Sequence, residues 1–489
     1  MFATLILKEI QETIHSLKFH IATLLCIMLI PLGFFVTLKD YEQRLADYND
    51  SVRLYEKRSE TRLHYTDFRG EGYRPPSALS VFAVGLEYFL PNKVVTSRDG
   101  QYQIIDESGI NNPQSMLFGK IDFLFNVNFV LTLLALIFTF NSISGEKESG
   151  ALKLIMSQSL HRWRLLLAKV LGNFLVFLAP FTIAIVLGLI VVNLSGVHTF
   201  FSSELLPTFL VIIFVTLLFI FSIFNLGMLV STLTHQSMTS MISLLFIWTV
   251  FVLVVPKISP MIAQILYPVK SQQVFNIEKQ VARADIENEL DQKRRELFEK
   301  VMMRYGVDFT NIRATGQTEK GKTAYAQYDE EKILLEEEYN KKISTAVSRI
   351  EQDYANARNN QALIAMNISR VSPVSCYTYI VSELSGTGLM EMNNFNEHAR
   401  RFQDRLKEMI YDNYIIKSYG NTRGSTSSHT TGVEGFDPSK LSVPHLKPYN
   451  HVSLREALKT EWIDVLLLAL FTILFFAASF VSFLKYDVR

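Results

Sequence analysis

Six stretches of the chain are apolar over the length of a membrane-crossing helix. A hydrocarbon core about 30 Å thick takes roughly 20 helical residues. Residues 21–38 carry no charge, 121–144 only Asp122, 165–193 only Lys169, 204–232 only Glu204, 238–256 none, and 464–484 only Asp464. The first stretch is longer than the apolar core of a signal peptide, and no small-x-small cleavage site follows it, so it reads as an uncleaved anchor. Elsewhere the pattern changes. Residues 272–305 and 323–371 contain no Gly or Pro and are rich in Glu, Lys, Arg and Gln. In the second of these, Ile343, Val347, Ile350, Tyr354, Ala357, Ile364, Ile368 and Val371 recur at alternating spacings of four and three, interrupted only at Gln361. That seam predicts a coiled-coil stripe. With residues 306–322 as a polar connector, it predicts an antiparallel helical hairpin projecting from the membrane.

Composition agrees with a membrane protein that carries a large polar part. Hydrophobic residues make up 49% of the 489 and charged residues 19%, against about 25% charged in a soluble domain. The expected fold class is an all-α polytopic membrane protein. It has six transmembrane helices, a small mixed ectodomain and a large helical ectodomain containing the hairpin. Lys and Arg number 48 and Asp and Glu 47, a net charge of +1, so no basic excess points to nucleic acid. Two cysteines, Cys26 and Cys376, exclude a disulfide framework and a four-Cys metal site.

Lys and Arg in short loops set the orientation. Lys8 and Lys18 precede the first span. Lys147, Lys153, Arg162 and Arg164 lie between the second and third, with Lys169 just beyond. Lys485 and Arg489 follow the sixth, while residues 194–203 have neither Lys nor Arg. Both termini are therefore expected to be cytoplasmic. Residues 1–20 form an interfacial helix, 21–38 the first span, 39–120 a first extracytoplasmic domain and 121–144 the second span. Residues 145–164 are a cytoplasmic segment, 165–256 spans three to five, 257–463 a second extracytoplasmic domain, and 464–489 the last span and tail. The cytoplasmic pieces are too short for an ATPase or kinase domain, so energy or signal must come from another chain.

Finer patterns fill in the parts. Phe2, Leu5, Ile6, Ile10, Ile14 and Leu17 share a helical face, with Lys8, Glu9, Gln11, Glu12 and His15 elsewhere, as suits a helix lying in the inner interface. After the helix-breaking Arg74-Pro75-Pro76-Ser77, residues 81–90 are apolar enough to pack on the membrane surface or on the second ectodomain, and residues 101–105 read as a short strand. Residues 419–440, rich in Gly, Ser and Thr, read as a flexible loop. Gly316 to Thr323 spells the phosphate-loop pattern GxxxxGK[ST]. That motif needs a buried strand before it, and Asn311-Ile312-Arg313-Ala314-Thr315 makes a poor one, so the match reads as a polar connector. The ten histidines form no HExxH and no metal spacing with Cys. No active site, cofactor site or metal site is expected on this chain. Within the spans, Asn126, Asn128, Asn141, Asn173 and Asn225 are candidates for interhelical bonding. All but Asn173 are also candidates for lining a pathway.

The segment between the second and third spans is the most informative. It reads Ser144-Gly145-Glu146-Lys147-Glu148-Ser149-Gly150-Ala151-Leu152-Lys153-Leu154-Ile155-Met156-Ser157, followed by Arg162-Trp163-Arg164. A brief helix from 150 to 157 would put Leu152, Ile155 and Met156 on one side, a size suited to a groove on a cytoplasmic partner. Gly145, Glu146, Glu148, Ser149, Gly150, Leu152 and Ile155 are the candidate coupling residues. Glu146 and Glu148 would make ionic contacts and favour the helix N-terminus, Gly150 would turn the chain, and Leu152 and Ile155 would fill the groove.

This segment resembles the coupling region of type-2 ABC-transporter permeases of the type V exporter superfamily, whose pattern is roughly G-E-[KR]-E-[ST]-G-[TA]-L before a short run and a basic residue. The order of interfacial helix, two spans, coupling helix and four further spans is similar too. Residues 79–87 after the two prolines, Trp248 and Pro256, Ser372-Pro373, Leu384-Ser385-Gly386-Thr387-Gly388 and the terminal Tyr486-Asp487-Val488-Arg489 resemble the branch with large extracytoplasmic domains after spans one and five. The resemblance implies a permease subunit of an ABC transporter, an exporter, paired with a second copy or a paralogue in the lipid bilayer. ATP and Mg would sit on a separate ATPase subunit, and envelope proteins would meet residues 257–463. The alternative is a mechanotransmitter or envelope-complex scaffold, in which ATP hydrolysis inside moves the ectodomain and no solute crosses.

Overall fold

The computed structural model describes residues 2–60, 70–96, 102–105, 121–157, 161–195, 205–307, 318–420, 449 and 451–486. Six of its helices are long and apolar enough to cross a membrane, and the protein is an all-α polytopic membrane protein. Most of the expected loop at 194–203 and of the Gly/Ser-rich stretch at 419–440 lies outside the described residues, as does Arg489.

Helix α1 covers Phe2–Ile14 and α2 Leu17–Glu60. Between them Ser16 ends one helix and starts the next: its hydroxyl donates to the Thr13 carbonyl at 2.6 Å and accepts from the Phe19 N–H. Residue 38, where the apolar run stops, does not end α2. Residues 39–60 carry no Gly or Pro, and the pairs Lys39–Glu42, Asp40–Arg44 and Asp50–Arg53 sit at helical spacings, so the helix runs on past the apolar run. A three-stranded antiparallel sheet follows: β1 Gly70–Tyr73, β2 Lys93–Thr96 and β3 Tyr102–Ile105, with β2 central and Val94 opposite Gly72 and Ile104.

The second span is α3, Phe123–Glu148, and a short α4, Ala151–Met156, follows it. Then come α5 Arg162–Leu194, α6 Leu205–Leu233 and α7 Ser237–Leu266. Both α3 and α7 contain a π-helical stretch, Asn126–Leu131 and Thr249–Val254. Trp248, just before one, donates its indole N–H to the Thr132 hydroxyl, just after the other, at 2.9 Å.

The compact units do not follow the membrane-loop boundaries. One comprises residues 1–256 and 369–489, the other 257–368, so the segment expected as one ectodomain, 257–463, is divided. In the second unit α8, Gln272–Arg304, and α9, Glu319–Ser369, run antiparallel: Phe275 stacks on Tyr354, Lys279 pairs with Glu351, Tyr339 with Glu289, and Arg304 with Glu331. The hairpin is therefore present. Its seam residues from Ile343 to Ile368 are only half-buried, and Val371 is exposed beyond the helix. Lys322 lies inside α9 rather than in the connector.

In the first unit, α10 (Pro373–Leu384), α11 (Leu389–Gly420), α12 (Leu454–Thr460) and α13 (Trp462–Lys485) complete the chain. The stretch 77–87 packs on 385–388. Ser77 donates to the Ser385 carbonyl at 2.6 Å, Leu86 N–H to the Thr387 carbonyl at 2.9 Å, and the Thr387 hydroxyl to the Ala83 carbonyl at 3.1 Å. Gly85 and Gly386 take the positive φ angles, +46° and +66°, that these turns require. The core is aromatic. Phe34 stacks on Phe123 and meets Phe82 edge-on, Phe138, Phe177 and Phe224 cluster, and Phe219 stacks on Tyr377 at 4.4 Å.

Candidate functional site: the segment between the second and third spans

The segment starts inside α3 and turns at Gly150, whose φ of +75° is open to glycine and strained for other residues. Each charged residue in Glu146-Lys147-Glu148 is held by a different helix of the same chain. Glu146 accepts from Lys169 of α5 at 2.8 Å, and Lys169 also donates to Glu9 of α1 at 2.9 Å. Lys169 is 3% exposed; a lone cation in an apolar span needs such partners. Lys147 donates to the Thr232 and Thr234 carbonyls at the end of α6, and its ammonium lies 4.7 Å from the centre of the Tyr486 ring. Glu148 accepts the Ser237 N–H at 2.9 Å, which places its carboxylate at the N-terminus of α7, where negative charge is favoured.

A second chain of bonds runs beside the ionic one. Thr13 of α1 donates to Asn173 at 2.9 Å, and Asn173, one turn after Lys169, donates to Ser142 at 3.2 Å. Lys18 reaches Asn141. Where α1 crosses α5, Gly172 leaves so little room that a Cβ there would lie 2.8 Å from the Glu9 Cβ. At the top of the segment, the Ser231 hydroxyl accepts the N–H groups of Ile143 and Ser144 at 3.0 and 3.1 Å. Gly145 lies against Ser237 and Asn141. Ser149 bonds back to the Gly145 carbonyl at 2.9 Å and stays exposed.

The apolar side of α4 corrects the sequence reading. Leu152 and Ile155 were expected to fill a partner's groove. Leu152 is instead fully buried with Ile143, Leu165, Leu166, Val170, Met228 and Phe483 of its own chain, and Ile155 and Met156 pack against the same cluster. The helical period does put these residues on one side, but the spans take that side up. The outward residue is Leu154, 73% exposed, beside exposed Lys153 and Ser157. Glu146 and Glu148 likewise already have partners within the chain.

The asparagines of the spans bind separate elements. Asn126 donates to the Leu29 carbonyl of α2 at 3.1 Å and Asn128 to Thr378 of α10 at 3.0 Å; Asn141 accepts from Lys18, and Asn225 donates to Phe221 of its own helix. Asn126, Asn128, Asn141 and Asn173 thus tie helices together. The sequence reading gave no site role to Lys169, Ser231, Met228 or Phe483. Only Lys169 carried a visible signal, as the one charge in its run.

A family profile described as ABC-2 family transporter protein matches residues 3–488. No curated protein matches the chain.

Proposed function

We propose, from the premise that the chain belongs to the ABC-2 transporter family and is a membrane permease component of an ABC transporter, that it acts as an exporter driven by a separate cytoplasmic ATPase. ATP and Mg sit on that partner. Two permeases, copies or paralogues, enclose the pathway in the inner membrane, with both termini and residues 145–164 on the cytoplasmic side. Residues 257–463 lie outside, available to envelope proteins.

The observation that carries this reading is the bracing of 144–156. Its charges grip α5, α6 and α7, with α1 joined through Lys169 of α5, and its apolar side is embedded among α5, α6 and α13. A segment fixed in this way passes a displacement to every helix it grips, because packed interiors shift as bodies rather than deform. Leu154 and Lys153 remain outward as the surface for the ATPase. The test is a Leu154→Cys chain, otherwise free of cysteine, expressed with its ATPase and treated with a thiol cross-linker from the cytoplasmic side. An ATP-hydrolysing subunit joined to position 154, with hydrolysis stimulated by the permease in proteoliposomes, is the expected result. Labelling of position 154 only from the outside would overturn the topology and the coupling role together.

A further inference from the structure

Three carboxylates are buried at the N-terminal end of α13, beside the partly exposed guanidinium of Arg370. Asp464, in its first turn, is 0% exposed, and Glu461, the residue before the helix, is 2% exposed. Glu383, in the last turn of α10, is 5% exposed and faces them. Arg370 grips Asp464, with Nε at 2.9 and 3.2 Å from its two oxygens and Nη2 at 2.6 Å from Oδ2. Glu383 Oε1 accepts the Met390 N–H at 3.0 Å. No donor reaches Glu461 Oε2 or Glu383 Oε2, both shielded from solvent. A Cβ at Gly388 would overlap the Glu383 carboxyl, so the glycine makes the room in which that carboxyl sits.

Fully ionised, the cluster would hold three negative charges against one positive charge, with two oxygens lacking any donor. Ionised carboxylates only accept hydrogen bonds, and unpaired buried charge is costly enough that such groups take up protons instead. No three His, Cys, Asp or Glu side chains among the described residues converge as ligands for a metal ion. We propose that Glu461 and Asp464 hold one proton between them, making this end of α13 a proton-binding site. The proton resides on Glu461, which then donates to Asp464, the residue that Arg370 grips. Glu383 biases the site toward the protonated form.

Burial, followed by contact with Asp464 and the charge of Glu383, pushes the Glu461 carboxyl up to about 9, and Arg370 acts in the opposite direction. Burial raises Glu383 as well, with Glu391 of α11 adding to it. The other titratable groups here are Cys376 and Tyr379 of α10, both raised by burial and near Asp464, and His451, 2.6 Å from Glu391. Arg455, Glu456 and Lys459 of α12 are exposed to solvent.

Infrared difference spectroscopy of the purified full chain during a pH titration reads the proton directly. We expect a protonated-carboxyl band at neutral pH that disappears as the pH rises through about 9. It should be absent in Glu461→Gln and titrate at lower pH in Glu383→Gln. Stability has the matching sign. The folded chain binds the proton more tightly than the unfolded one, so Tm falls as pH rises from about 4.5 towards 9. Glu461→Gln, which supplies a permanent donor, flattens that fall and raises Tm at neutral pH. A wild-type chain with no carboxyl titrating above neutral pH overturns the proposal, even if the variants fail to fold. So does a Glu461→Gln chain that folds and keeps the band. Neither outcome depends on ATP hydrolysis or transport.

Discussion

Lys169 and Glu146, 23 residues apart, meet at 2.8 Å across the turn that joins the second and third spans. Glu9 completes the pair from α1 at 2.9 Å, so one ammonium holds the N-terminal helix and the segment 144–156 against the same span. Removing the cation leaves two carboxylates facing each other out of water. Lys169→Met should therefore destabilise the protein by about 3–5 kcal/mol, the scale for breaking a buried ion pair from one side. Adding Glu9→Gln and Glu146→Gln to that variant should recover most of the loss. Thermal unfolding of the purified protein in detergent measures both, and equal stability of Lys169→Met and wild type would show that the triad holds nothing.

Leu152 and Leu154 are two positions apart and should behave oppositely. Leu152→Ala opens a void among Ile143, Leu165, Leu166 and Phe483, and large-to-small changes at such sites cost about 2–5 kcal/mol. Leu154→Asp changes an exposed side chain and should leave the stability within about 0.5 kcal/mol of wild type, while ATPase co-purification and permease-stimulated hydrolysis fall. An unfolded Leu154→Asp, or a stable Leu152→Ala that has lost its ATPase, would reverse the assignment of the two faces.

These two leucines show how far the sequence carried. Hydropathy marked all six spans because lipid demands long apolar runs, and the absence of Gly and Pro marked both hairpin helices. The strand at 102–105 was also legible. The 3.6-residue period grouped Leu152, Ile155 and Met156, but periodicity cannot say whether a shared side meets a partner or the same chain. Glu146 and Glu148 read as contacts for a partner and for the short helix's N-terminus because Lys169 and the Ser237 N–H are distant in sequence. The interlock of 77–87 with 385–388 was out of reach for the same reason: bonds such as Ser77 to Ser385 leave no local pattern. The extension of α2 to Glu60 was hidden by a change in solvent rather than in secondary structure. Polar helix formers simply took over from apolar ones.

Close helix contacts give a third expectation. A Cβ at Gly227 of α6 would overlap the Thr139 hydroxyl of α3, the kind of approach that small residues permit between membrane helices. Gly227→Ala should cost about 1–3 kcal/mol through overpacking. Thr139→Ala in the same chain should relieve part of it, since it removes the hydroxyl but keeps the Thr139 Cβ, 2.8 Å from the added methyl. A double mutant no more stable than Gly227→Ala alone would locate the strain elsewhere.

The phosphate-loop letters from Gly316 to Thr323 provide the last expectation. Gly316 and Gln317 lie outside the described residues, but the active part of such a motif is its backbone N–H groups, which must be free to cradle phosphate. Here the Gly321 N–H donates to the Thr318 hydroxyl at 3.1 Å and the Lys322 N–H to the Thr318 carbonyl at 2.9 Å. Thr318 thus takes up the amides that phosphate would need and uses them to start α9. Lys322 is exposed in that first turn. Lys322→Ala should therefore leave ATP hydrolysis by the assembled transporter unchanged, and the purified permease alone should show no ATP-dependent rise in Tm. A fall in hydrolysis of about tenfold, equivalent to about 1.4 kcal/mol in the barrier, with assembly intact, would mean that the loop opens to bind nucleotide and that its helical start is only one of its states.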